Sequence, residues 1–532
     1  MTPPVRDLLD RREEAGAGVS LPDVAESLDR DTRVPVSRIQ VRGGSVFALE
    51  DLSAPLQPLL GQTVPLARLV EAVEGITRRY QQAGYPLSYA YLPRRNFQGG
   101  TVTVIVVEGY IARSEIAVQD AAVAMRVERL VERIKAERPL SRDTFERYTA
   151  LIERIPGASL AVKAPVPRTP SGATTLRVEQ RDSDRVDGGV ALEGGSEDEL
   201  RLLANLAFRS HTPHAEALSF ASLLPVDTDD TFHALAYRQA LGTDGWRLKL
   251  SAQRFESDEE SPLPEDAEIR VQEDKVRDRF RLAVDYPLLL DRQRRWTLEA
   301  GLDHLDERVD YAFRRPGQGT VTADQALRFS TLELASGYRT SDEGRRLEGR
   351  VEWRQGVDLG ASRNRLSLGD ASVIGDEELR FTRLALEGRW LEALSPSWRL
   401  SLRVAGFWSD DDLPMAEHGR YGGRRFGRAY ADGQAEGERG YAGELELRYR
   451  HALQTTWVTR LEPYLVLDGA QTAFTDADAE HELASVAGGI EVRDGGHYRL
   501  GIEYAYPVGE RPEDDPERHG RLNARLSWDF SG

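Results

Sequence analysis

The chain has 532 residues, 40% of them hydrophobic and 30% charged, with no Cys and a formal net charge of −18. That charge argues against a nucleic-acid binder, which carries a basic face. The lack of Cys removes disulfide frameworks and thiolate metal sites. No apolar run reaches the roughly 18 residues of a transmembrane helix. The mean hydropathy of −0.49 resembles a soluble protein, yet transmembrane barrels share it because half of each strand faces water. At about 150 residues per domain the length predicts three or four domains, a count that β-barrels evade.

Residues 1–4 lead straight into charge, so no secretory signal is visible and export implies one already removed. Residues 5–14 (VRDLLDRREE) form a short helix candidate with Val5, Leu8 and Leu9 on one side, followed by a Gly/Ala linker. Read alone, this is a frayed terminus.

From Val34 the chain becomes a compact α/β unit. Leu66, Leu69, Val70, Val73, Ile76 and Tyr80 recur at helical spacing and give one apolar face. Ala83-Gly84-Tyr85-Pro86 stops that helix. Residues 85–92 and 102–107 then predict a hairpin. The same order returns: a strand over 111–118, helices over 125–136 and 142–155, and a hairpin over 159–164 and 174–180. Two consecutive β-α-α-β-β units of about 75 residues are a repeat of architecture, although their sequences differ.

After about residue 185 the helical period vanishes and period 2 takes over. Trp246, Leu248, Leu250 and Ala252 alternate with Arg247, Lys249, Ser251 and Gln253, and similar runs continue to the end. About 16 such segments of roughly ten residues occur, the length that a tilted membrane strand needs. A soluble sandwich also alternates. The connections decide, because short turns and longer loops alternate as periplasmic turns and outer loops do. The long ones are predicted at 257–277, 312–323, 357–380, 410–440 and 509–519. In the last strand Leu522, Ala524, Leu526, Trp528 and Phe530 share one face. Such an edge is expected to close onto a first strand around 188–193.

Catalytic chemistry finds little support. His211 and His214 sit in a Thr-Pro turn, and no HExxH or GxSxG motif occurs. The acidic runs at 227–230, 410–412 and 513–515 read as solvated loop charge, with divalent-ion bridging to lipid headgroups as the alternative. No cofactor and no metal site is expected.

Residues 422–448 (GGRRFGRAYADGQAEGERGYAGELELR) stand apart. A Gly- and Arg-rich loop, the sixth and longest outer loop, runs straight into a two-faced strand. Folded into the lumen it would meet inward-facing charge. Arg428 would then need a carboxylate, and Asp468, which interrupts an apolar stretch on the next strand, is the best candidate.

FGRAY at 426–430 with GERGYAGELELRY after it resembles the sixth-loop motif of two-partner secretion transporters, the haemolysin/adhesin-secreting outer-membrane proteins. EPYLVLDGAQ, RLGIEYAYPVG and the terminal RLNARLSWDF resemble strands of the same family, and the paired α/β units resemble tandem POTRA domains. The resemblance implies a mainly β chain. Its parts would be a plug helix and linker over 1–33, POTRA domains over 34–109 and 110–182, and a 16-stranded barrel over 185–530 whose long loop is 410–440. It further implies a monomeric pore, without enzymatic activity, that exports a partner exoprotein across the outer membrane, amid lipid and lipopolysaccharide, with the POTRA units in the periplasm. The lumen lock would be Gly427, Arg428, Tyr430 and Asp468. Partner binding would fall beside Leu66, Leu69, Val73 and Tyr80. Ala429 and Ala470 stand where the family's motifs carry Gly. An assembly insertase is the runner-up and a plain porin the third reading.

Overall fold

The structure is a computed structural model. It describes residues 31–532 except 94–96, 197–199, 227–229, 264–265, 361, 369–370, 375–378, 456, 476–479, 514, 516 and 532. The expected helix over 5–14 lies outside the described residues, as do parts of the acidic runs at 227–230 and 513–515.

The first α/β unit opens with β1 (Arg33–Pro35), which pairs with β3 (Thr63–Pro65). Its main sheet has the order β2 (Arg38–Arg42), β5 (Thr101–Val107), β4 (Tyr89–Tyr91), with β2 parallel to β5. A short helix α1 (Leu49–Ser53) and a long one, α2 (Leu66–Gln82), pack against the sheet. The apolar stripe of α2 meets Val102, Val104 and Val106 in one core. Gly84, at φ 88°, ends that helix in a conformation only Gly takes readily.

The second unit repeats the plan. Strands β6 (Tyr110–Ala117), β8 (Ala173–Ser183) and β7 (Ala158–Lys163) lie in that order, with β6 parallel to β8. Helix α3 (Ala121–Lys135) is capped by Asp120, which accepts the Val123 N–H at 3.0 Å. Helix α4 (Arg142–Glu153) is capped by Ser141 on Thr144 at 3.2 Å. Such caps satisfy N–H groups that the helix leaves unpaired.

The rest is one closed antiparallel barrel of sixteen wall strands. They are β9 (Val186–Gly195), β10 (Arg201–Arg209), β11 (Ala217–Pro225), β12 (Thr231–Leu241), β13 (Trp246–Leu263), β14 (Asp266–Leu290), β15 (Arg294–Arg314), β16 (Val321–Asp342) and β17 (Arg345–Val357). After the outer hairpin β18 (Arg363–Leu368) and β19 (Ala371–Ile374) come wall strands β20 (Thr382–Ala393) and β21 (Trp398–Trp408). The sixth outer loop contains β22 (Gly419–Tyr421) and β23 (Ala435–Gly437). Then follow β24 (Arg439–Tyr449), a two-residue β25 (His451–Ala452), β26 (Arg460–Ala473), β27 (Glu480–Arg493), β28 (Tyr498–Pro507) and β29 (Arg521–Ser531). The seam closes as β29 pairs with β9 from Asn523↔Gly195 to Ser531↔Asp187. No backbone edge is left at the seam to meet lipid.

The outward face is apolar and exposed: Leu522, Leu526, Trp528 and Phe530 on β29 are each close to half exposed. Exposed Trp246, Trp296, Trp398 and Trp528 fall at the strand ends nearest the α/β units, and exposed Trp408, Tyr441, Tyr504 and Tyr506 at the far ends. These are the two aromatic girdles of a membrane barrel.

Two predicted loops are largely strand. Residues 257–277 continue the β13–β14 ladder as far as Pro262↔Arg270. Residues 357–380 hold the β18–β19 hairpin, in which β18 pairs with β16. Above the membrane both faces of a strand meet water, so the apolar half of the period-2 signal disappears while the backbone pairing continues.

The second α/β unit is seated on the short barrel turns. Arg147 donates from Nη2 to the Asp244 carbonyl at 2.6 Å and from Nη1 to that of Pro287 at 3.1 Å, and lies over the Tyr286 ring. Arg126 donates to the Gly242 carbonyl at 2.6 Å. Asp244 receives Arg133 at 2.5 Å and the Tyr148 hydroxyl at 3.0 Å. These contacts fix the second α/β unit at one mouth of the barrel.

Candidate functional site

The sixth loop folds back into the lumen. β22 and β23 pair as a small hairpin, Gly419↔Gly437 to Tyr421↔Ala435. Its tip turns through Phe426 at φ 58° and Gly427 at φ 120°, left-handed positions that strain a residue with a side chain. A Cβ on Gly427 would stand 2.8 Å from Leu483 Cδ1 and 3.2 Å from the Gly422 Cα. Ala429 is not one of the left-handed positions, so the turn needs no Gly there. Ala470 is buried in the wall against the loop.

The tip is packed and hydrogen-bonded. Phe426, Ala429 and Tyr430 join Phe407, Val466 and Leu483 in one buried cluster. The Tyr430 hydroxyl lies 3.0 Å from the Ala484 carbonyl and 3.1 Å from that of Glu510, and accepts the Gly509 N–H at 3.1 Å. Asp468, on β26, accepts the Gly427 N–H at 2.7 Å and the Ser485 hydroxyl at 2.6 Å, both at Oδ1.

Arg428 reaches three inward carboxylates on three wall strands. Its Nη2 is 2.8 Å from Glu444 on β24, its Nη1 2.5 Å from Glu503 on β28, and its Nε 3.7 Å from Asp468 Oδ2. The Tyr464 hydroxyl donates to Glu503 at 3.0 Å, and Arg403 pairs with Glu444 at 2.8 Å. Arg428 and Asp468, paired from the sequence, lie beside each other, and Gly427 and Tyr430, which the family resemblance adds, lie at the same loop tip. Glu444 and Glu503, not expected from the sequence, are the nearer partners of the guanidinium. Each alternates with outward apolar residues, a signal that marks inward charge without saying across which lumen it pairs.

A second anchor holds the descending limb of the loop. Glu417, 2% exposed, lies 3.1 Å from Arg354 on β17 and 3.4 Å from Arg279 on β14. Arg354 also lies 3.4 Å from Asp303 and from Glu333. Buried charges need such partners, since an unpaired one is costly.

The four side chains expected at the partner surface require a correction. Leu66, Leu69, Val73 and Tyr80 are 3, 0, 4 and 0% exposed and face the first domain's own core. An amphipathic helix on a three-stranded sheet buries its apolar stripe, so these side chains line no open groove. Among the described residues no group of His, Asp or Glu is arranged to hold a metal ion.

Comparison with known proteins places this geometry. Residues 34–109 match the family model described as POTRA domain, ShlB-type, and residues 244–492 match that of haemolysin secretion/activation protein ShlB/FhaC/HecB. The heme/hemopexin transporter protein HuxB of Haemophilus influenzae strain Rd is 21% identical over 164 residues, which cover 30% of this chain and 29% of that protein. HuxB of strain 86-028NP is 20% identical over 167 residues. The matched stretch thus spans under a third of these relatives' length. CdiB from Escherichia coli superposes with a TM-score of 0.72 at 16% identity, covering 99% of this chain and 95% of that one. CdiB from Acinetobacter baumannii gives 0.66 at 12%, with the same coverage. At these identities the likeness is one of fold. The two family models, over residues 34–109 and 244–492, show that the chain carries a ShlB-type POTRA domain and the barrel of the haemolysin secretion/activation proteins.

Proposed function

We propose that this protein is a pore that recognises a large partner exoprotein in the periplasm and exports it across the outer membrane. The observation that carries this reading is a polar, charge-lined lumen stoppered by its own sixth loop, with the second of two α/β units seated at one mouth. A plain porin has no use for those units. The seam pairs from residue 523 to 531 of β29, which favours a standing channel over an insertase that opens sideways. No Walker A loop occurs in the sequence. Folding of the partner outside, with burial of its apolar surface, would rectify its motion.

In this reading residues 34–109 and 110–182 are the two POTRA domains, 185–530 the barrel, and 1–33 a segment that plugs the pore. The chain works as a monomer among outer-membrane lipid and lipopolysaccharide, and it has no catalytic role. Gly427, Arg428, Tyr430 and Asp468 hold the loop until export moves it. The POTRA domains take an extended partner segment by strand addition at an open sheet edge, β2 or β4 in the first and β6 or β7 in the second.

Co-expression with a candidate long β-helical exoprotein, and its assay in the medium, tests the proposal. Export is expected from the full chain and lost on deletion of residues 34–108, with the barrel still inserted. Export that survives the deletion would overturn recognition by the first domain. A general fall in other outer-membrane barrels on loss of this protein would point to insertase activity instead.

A further inference from the structure

The lumen end nearest the α/β units is lined by arginine. Side chains along a wall strand alternate between lipid and lumen, and the inward position nearest the short turns is Arg on strand after strand. The ladder sets several directly opposite one another. Arg295 faces Arg339, Arg399 faces Arg448, Arg460 faces Arg493, and Arg493 faces Arg499. Directly opposed like charges destabilise an antiparallel pair, so a wall selected for stability alone would not repeat the arrangement. Carboxylates stand among these arginines, Glu348 directly opposite Arg339, and two of them serve more than one guanidinium. Glu348 serves both Arg339 at 3.1 Å and Arg346 at 3.4 Å. Glu462 serves Arg448 at 3.3 Å, Arg450 at 3.2 Å and Arg493 at 3.8 Å.

Part of this ring opens into a cavity of about 770 Å³ between the barrel mouth and the end of α4. Eight of its fifteen lining residues are Arg, against Asp342 and Glu343 as the acidic ones. Arg154 comes from the second α/β unit, and Arg295, Arg339, Arg346 and Arg399 from the wall. The local sign is thus opposite to the chain's net charge of −18.

From this juxtaposition we infer that the cavity is a carboxylate-binding vestibule that takes an acidic segment of the exported polypeptide as it enters the lumen. The inference rests on the export reading and names what the mouth selects. Guanidinium forks bind carboxylates in bidentate fashion, and a cleft of one sign steers an oppositely charged chain towards it. Lipid headgroups are the weaker candidate. These arginines alternate with Trp296, Tyr338, Leu347 and Trp398, which face outward and are exposed, so the guanidiniums point away from the bilayer.

The test needs no export. The full chain in phosphatidylcholine nanodiscs is titrated into a fluorescent poly-glutamate peptide and, separately, a poly-glutamine peptide of equal length, and anisotropy is read. The glutamate peptide is expected to bind, the glutamine peptide to bind at least about tenfold more weakly, and the preference to fade as salt rises from about 0.05 M to about 0.5 M. The combined variant Arg295→Gln, Arg339→Gln, Arg399→Gln should lose about tenfold in affinity, and the matching Lys variant should keep most of it. Heat-dependent gel mobility checks that each barrel is folded, and only folded variants are scored. Equal binding of the two peptides, or unchanged binding by the folded Gln variant, overturns the inference. If that variant also retains less phosphatidylglycerol on purification, the arginines are lipid ligands. Export can then fail or succeed separately, so the two readings fall apart cleanly.

Discussion

The backbone N–H of Gly427 donates to the Asp468 carboxylate at 2.7 Å, and this bond ties the loop tip to β26 more closely than the neighbouring guanidinium does. Asn at 468 keeps an acceptor oxygen for Gly427 and Ser485, whereas Ala removes it and leaves a buried N–H unsatisfied, at a cost of about 1–3 kcal/mol. Asp468→Ala should therefore reduce export more than Asp468→Asn. The measurement is secreted partner at matched outer-membrane levels of the transporter. Wild-type export by the Ala variant would show that Asp468 does not hold the loop.

Arg428 answers to three carboxylates, so its removal should be worse than that of any one of them. Arg428→Ala leaves Glu444, Glu503 and Asp468 facing each other in a largely buried site, and breaking such a pair costs about 3–5 kcal/mol. The barrel ladder does not depend on the pair and should still form. The loop should become open to added protease from outside. Glu503→Gln placed on Arg428→Ala removes one orphaned charge and should restore part of the protection. Arg428→Lys should not substitute fully, since an ammonium cannot span carboxylates as the planar fork does. Unchanged protease resistance in Arg428→Ala would mean that the packed aromatics alone hold the loop.

The wall was legible in the sequence because lipid enforces period 2, and α2 because one face of a helix on a sheet must be apolar. The loop was legible through Gly427 and Arg428, since buried Arg requires a carboxylate. Asp468 was legible as one partner, and the two nearer carboxylates were not. Glu444 and Glu503 become neighbours of Arg428 only after the strands close and the loop descends, a relation across β24, β26 and β28 with no local sequence mark. Glu417 is hidden for the same reason. The burial of Leu66, Leu69, Val73 and Tyr80 is legible, because the stripe that makes the helix is the stripe the helix buries.

Glu417 offers an anchor on different wall strands from those that hold Arg428. Glu417→Gln keeps the size of the side chain and removes its charge, so Arg354 and Arg279 are left with Asp303 and Glu333. The loop's descending limb should loosen while the tip stays bound. The two anchors share no partner, and energies of sites without shared partners add. Protease susceptibility of Glu417→Gln with Arg428→Ala should accordingly match the sum of the single effects in free energy. A double variant no worse than Arg428→Ala alone would make Glu417 a passenger.

Glu153, at the end of α4, gives the α/β mouth a pH dependence. Its carboxyl is pushed up to about 7, first by burial, against the opposing pull of Arg292 and Arg154, the Val162 N–H and Arg181. Its Oε1 is buried without a hydrogen bond, and it lines a small cavity with Phe145, Glu146 and Arg292. A folded pKa above the unfolded value of 4.5 means that the native state binds the proton more tightly. The stabilising contribution is therefore complete below about pH 4.5 and is lost as pH rises through about 7. Above that pH the native state holds a poorly solvated charge, at a cost of about 1–3 kcal/mol once partial solvent access is allowed for. Glu153→Gln removes the titration and keeps the shape. Its unfolding midpoint should exceed that of wild type near pH 8 and converge with it near pH 5, as read by thermal melts of the full chain in detergent, following the helical signal. A variant that is no more stable than wild type near pH 8, or equally shifted at both pH values, would show that Glu153 is not the titrating group.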